Sequence, residues 1–113
     1  MEELELINMQ LLNLAEEQDS IATEYRRNTN ARAALDEHLV QRNRLFKELS
    51  ETFPQGEMRI VVGEINHETR RYQQQLQDEL LESEHQLKRE KCTLEARETE
   101  LYDRRRKAAE ETK

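Results

Sequence analysis

Apolar side chains recur through the first half of the chain at steps that alternate between three and four. The positions are Leu4, Ile7, Leu11, Leu14, Gln18, Ile21, Tyr25, Asn28, Arg32, Leu35, Leu39, Arg42, Phe46, Leu49 and Phe53, with mostly Glu, Gln, Arg and Asn between them. That spacing is the seam of a helix paired with one other helix, and it predicts a helix over about 3–51. The pattern resumes as Met58, Val62, Ile65, Thr69, Tyr72 and Leu76, then continues as Leu80, Leu87, Leu94, Leu101 and Ala108. It predicts a second helix over about 57–110. The step from Leu76 to Leu80 is four where three is due, so the stripe is expected to drift around the helix there.

Residues 52–56 separate the two patterns and hold the only Pro of the chain and one of its two Gly. Pro54 stops a helix, because it lacks an amide donor and clashes with the preceding turn. Gly56 offers the positive φ that reverses the chain. With Phe53, these residues form the expected turn. The fold expected is all-α: two long helices in an antiparallel coiled-coil hairpin, a single unit over 1–113. A turn centred near Gln55 sets Leu49 against Val62, Phe46 against Ile65, Leu39 against Tyr72 and Leu35 against Leu76. It also sets Arg32 against Glu79 and Asn28 against Ser83. These four polar residues are the expected register site, read either as a pin against alternative pairings or as a place where another chain inserts.

The first sixteen residues also carry Leu6, Met9 and Leu12, which widen the stripe beyond what one partner helix covers. The end of the hairpin distant from the turn is therefore the expected partner surface, with Leu4, Ile7, Leu11, Leu12, Leu14, Leu101 and Tyr102 as its contacts.

Composition narrows the function. Charged residues make up 38% and aromatics 4%, with no Trp, against about 25% charged in a typical domain. That leaves too little apolar volume for a compact globular enzyme. The net charge of −7 argues against nucleic acid, whose phosphates need a basic face. Cys92 is alone, so no intrachain disulfide forms. No run approaches the ~20 apolar residues that span a bilayer, and Met1-Glu2-Glu3 lacks the basic start of a signal peptide. The expected location is the cytoplasm.

His38, His67 and His85 lie far apart, and Cys92 has no His three or four residues away, so no metal or catalytic constellation is formed. No enzyme activity and no cofactor are expected. The basic run Arg104-Arg105-Arg106-Lys107 is read either as complementing the helix dipole or as docking an acidic partner or anionic lipid.

The ending Glu98 to Lys107, with its core Leu101-Tyr102-Asp103-Arg104-Arg105-Arg106-Lys107, resembles the small α-helical proteins encoded beside LXG toxins of Gram-positive type VII secretion systems. The acidic, Gln-rich first helix and the break from Phe53 to Gly56 resemble the same family. The resemblance implies a targeting factor or chaperone that binds the helical N-terminal domain of an LXG toxin together with a second small helical protein, and that is co-exported with the toxin or stays behind. The chain departs from the wider WXG-type helical hairpins in having no Trp. It also departs in its aromatics: Tyr25, Tyr72, Tyr102 and Phe46 lack an acidic residue four positions on, the export tag of some relatives. The second reading is a self-associating coiled-coil scaffold or adaptor unrelated to secretion, and a homodimer is expected when the chain is alone.

Overall fold

The computed structural model describes residues 2–111. Helix α1 runs Glu2–Thr52 and helix α2 runs Glu57–Glu111, so the chain is a two-helix, all-α hairpin. Glu2, Glu3 and Glu5 fill the first turn of α1, where carboxylates favour the positive end of the helix dipole. At the turn, the Phe53 amide still donates to the Leu49 carbonyl at 2.9 Å, and Gly56 takes φ 90° before α2 begins. The Arg59 guanidinium donates to the Pro54 carbonyl at 3.1 Å and ties α2 back to the turn.

The chain divides into two compact units. The termini unit pairs the part of α1 up to Arg27 with the part of α2 from Glu84 onward, and the turn unit is Asn28–Ser83. In the termini unit the Gln18 amide donates to Glu98 at 2.6 Å, and the Tyr25 hydroxyl donates to Glu84 at 3.2 Å. The partner number falls as the α1 number rises, so the pairing is antiparallel. The turn unit repeats this: Asn28 donates to the Leu80 carbonyl at 3.2 Å, and Arg42 donates to Gln73 and Asn66.

The seam of α1 is where its periodicity puts it. Of the fifteen positions, all but Arg32 are buried or half-buried. The seam of α2 differs from the expectation in the turn unit. The inward positions there are Val62, Asn66, Thr69, Gln73, Gln77 and Leu80, while Met58, Ile65, Tyr72 and Leu76 are exposed. The expected pairs of Leu39 with Tyr72, Phe46 with Ile65 and Leu35 with Leu76 are corrected accordingly. The reason is phase. Asn66, Gln73, Leu80, Leu87, Leu94, Leu101 and Ala108 share one heptad position, and every one is buried or half-buried. A regular helix keeps that position on one line, so the stripe does not drift between Leu76 and Leu80.

Candidate docking surfaces

A polar layer in the turn unit fixes which side of α2 faces α1. Arg42 is buried within the seam. It donates through Nη1 to Gln73 Oε1, and through Nη2 to the Asn66 carbonyl at 3.0 Å and Asn66 Oδ1 at 2.7 Å. The guanidinium also lies 5.1 Å from the centre of the Phe46 ring. A buried cation is costly unless its donors are satisfied, and here neutral amides and a carbonyl satisfy most of them. Nε has no acceptor among the described residues. Burial first, and then the charge of Arg70, pull the Arg42 guanidinium below its ordinary pKa; arginine nonetheless remains charged.

Asn66 and Gln73 can serve Arg42 only by facing α1, and that turns the neighbouring apolar residues outward. Met58, Val61, Ile65, Tyr72 and Leu76 are 43–64% exposed. At about 100° per residue they all fall within about 100° of the seam line, on the same side of it. Leu45 of α1 is also exposed, and in an antiparallel pair it lies on the flank that opens onto the same face. The turn unit therefore presents six large apolar side chains along one face. Scattered surface hydrophobes need no explanation, but six that share one face make it a candidate interaction site.

The expected partner surface in the termini unit fares differently. Ile7, Leu14 and Leu101 are buried, and Leu4 and Leu11 are half-buried. These five are absorbed by the seam of the hairpin itself. Leu12 and Tyr102 are exposed, as are Leu6 and Met9. Of the seven expected contacts, Leu12 and Tyr102 remain on the surface, on the flanks of α1 and α2 that open onto one face. In the register site, Asn28 is buried and bonded to Leu80, but Arg32, Glu79 and Ser83 are exposed. The polar pinning residues in the turn unit are Arg42, Asn66 and Gln73 as well as Asn28. Arg42 was visible in the α1 periodicity as a cation on an apolar line; its partners were hidden because each directly follows an apolar residue, Ile65 or Tyr72, that fits the same spacing.

The basic run is engaged locally. Arg106 pairs with Asp103 at 3.2 Å, and the Arg105 guanidinium stacks 4.8 Å from the Tyr102 ring centre. The last turn of α2 holds no basic residue, so the run does not sit at the dipole terminus. Cys92 is exposed. Among the described residues no three His, Cys, Asp or Glu side chains gather as metal ligands, and no helix is long and apolar enough to cross a membrane.

The family of proteins of unknown function DUF3958 has a model that matches residues 2–108. The chain belongs to this family. The match runs through both helices and the turn. Comparison with curated proteins and with solved structures gives no match.

Proposed function

We propose that this chain is a non-enzymatic targeting factor, or chaperone, that binds the helical N-terminal domain of an LXG toxin for type VII secretion, alongside a second small helical protein. The observation that supports this reading is the apolar face of the turn unit, formed by Met58, Val61, Ile65, Tyr72, Leu76 and Leu45. Its residues follow helical spacing, so the complementary surface is another helix laid along it, as ridges pack into grooves. The sequence resemblance at Glu98–Lys107 and Phe53–Gly56 supplies the identity of the partner. A hairpin face that offers apolar ridges does its work by covering a partner's own apolar stripe until delivery.

The test is co-expression with the helical N-terminal domain of an LXG toxin from the same genome, followed by affinity capture and titration. Fully burying a large apolar side chain is worth about 1.5–3 kcal/mol, and these are about half exposed already. The double variant Ile65→Glu with Tyr72→Glu therefore forfeits about 2–3 kcal/mol, a drop in affinity of about 30–150-fold, with helix content retained. Full-strength binding by that variant removes the assignment of the face. Failure of the unaltered chain to bind the domain, with a stable homodimer buried through the same face, favours the self-associating adaptor instead.

A further inference from the structure

On the termini unit, α1 and α2 leave a groove of about 750 Å3 between them. Its floor is Ile21, Ala22, Tyr25, Leu87 and Leu94, and its rim carries Arg26, Lys88 and Lys91 against one carboxylate, Glu95. With Glu84 lying against Lys88, the rim has a one-charge positive excess in a chain whose net charge is −7. The cations are loosely held. Lys91 reaches Glu95 only at 3.9 Å with both side chains exposed, and Arg26 makes a long hydrogen bond, 3.4 Å, to the Thr23 hydroxyl. Lys88 lies 3.4 Å from Glu84, which also accepts from Tyr25. Exposed pairs of this kind contribute little to folding, so the cations remain available to a ligand.

We propose that this groove docks an acidic amphipathic helix of another protein, with apolar residues at helical spacing and Glu or Asp on both flanks. The groove runs from Gln18 to Arg26 on α1 and from Leu87 to Glu95 on α2. That is a little over two turns, about 12 Å, enough for two or three apolar side chains of a helix. The apolar floor gives burial, and the three cations select the sign of the flanks, which is the usual division of labour at an interface.

A second copy of this chain is the poorer occupant. Its own acidic apolar stretch is Leu6, Met9 and Leu12 among Glu2, Glu5 and Glu16. Leu12 shares the flank of Arg26, but Leu6 and Met9 lie off it, on the far flank and the back of α1. Docking through them joins different patches, and such contacts propagate instead of closing a pair. The groove shares no residue with the apolar face of the turn unit, so this inference goes beyond the proposed function and stands without it.

The test uses the full chain and two fluorescein-labelled peptides of about three heptads. Both carry Leu at the two seam positions; one has Glu on its flanks and the other Lys. Fluorescence anisotropy is expected to show binding of the Glu peptide, with the Lys peptide weaker by about tenfold or more. Raising salt from about 0.05 to 0.5 M should weaken the Glu peptide several-fold, because exposed charges are screened over that range. The double variant Arg26→Glu with Lys91→Glu changes two exposed side chains and keeps its far-UV dichroism, and it should reverse the preference in favour of the Lys peptide. Equal binding of the two peptides, binding of neither, or an unreversed preference in the variant overturns the proposal. So does a sedimentation shift showing that the variant loses self-association instead, which makes a second copy the occupant.

Discussion

Replacing Gln73 with Leu and Arg42 with Leu, singly and together, separates the polar layer of the turn unit into its parts. Gln73 is buried and accepts from the buried Arg42. In Gln73→Leu the guanidinium keeps its Asn66 acceptors but loses a charge-assisted bond worth about 1.5–3 kcal/mol. The new Leu returns about 1 kcal/mol of burial, so the expected loss is about 1–2 kcal/mol. Arg42→Leu removes a desolvated charge that costs several kcal/mol. It also strands the Gln73 amide, at about 1–3 kcal/mol, and gives up the Phe46 stacking, at about 0.5–1 kcal/mol. These nearly cancel, and the single variant should lie within about 1 kcal/mol of the parent. The double variant leaves an apolar layer with only the half-buried Asn66 as a polar member, and it should gain about 1–3 kcal/mol. The double variant is thus more stable than either single one. Urea unfolding followed by far-UV dichroism at one fixed protein concentration reads this directly. With a slope of about 1–3 kcal/mol per M, a 2 kcal/mol gain moves the midpoint by about 1 M. Additive losses, with the double variant less stable than both singles, refute the view that Arg42 and Gln73 form one coupled unit.

Gly63 lies inside α2, and a Cβ added there meets nothing within 4 Å, so Gly63→Ala should raise stability by about 0.5–1 kcal/mol, read as a higher melting temperature. Gly56 has φ 90° in the turn, so Gly56→Ala should cost about 1–2 kcal/mol although the space is open. In a Cys92→Ser background, the pair Leu39→Cys with Gln73→Cys should cross-link faster than Leu39→Cys with Tyr72→Cys; the reverse order would mean that Tyr72 and not Gln73 faces α1. The isolated chain should show concentration-dependent sedimentation, because a single seam leaves the apolar face of the turn unit uncovered; a monomer at every concentration, with a melt independent of concentration, contradicts this.

The fold was legible because its signals are regular and agree. One Pro and one Gly interrupt two long periodic stretches, and the α1 periodicity names its own seam except at Arg32. The α2 seam was misread because the reading followed apolarity. Between Met58 and Leu76 the apolar residues and the heptad line part company: Ile65 and Tyr72 are apolar, while Asn66 and Gln73 hold the phase of Leu80, Leu87, Leu94 and Leu101. A local pattern cannot decide between them, since a shift of one residue exchanges the two sets. What decides is distant in sequence, a cation at position 42 that needs acceptors from the opposite helix. In the termini unit Leu4, Ile7, Leu11, Leu12 and Leu14 were read as exceeding the opposing line of Leu94, Leu101 and Ala108, yet all of these but Leu12 are buried or half-buried in the seam.

The exposed stripe of the turn unit and the polar layer beneath it are therefore one feature seen from two sides. With Asn66 and Gln73 facing α1, Ile65 and Tyr72 point outward, and the surface keeps the large side chains that a one-residue shift of phase would bring to the core. A buried polar residue that lowers stability while fixing which face points inward is a known device for register. Here its consequence is that apolar area is kept on the outside, where only a partner can cover it.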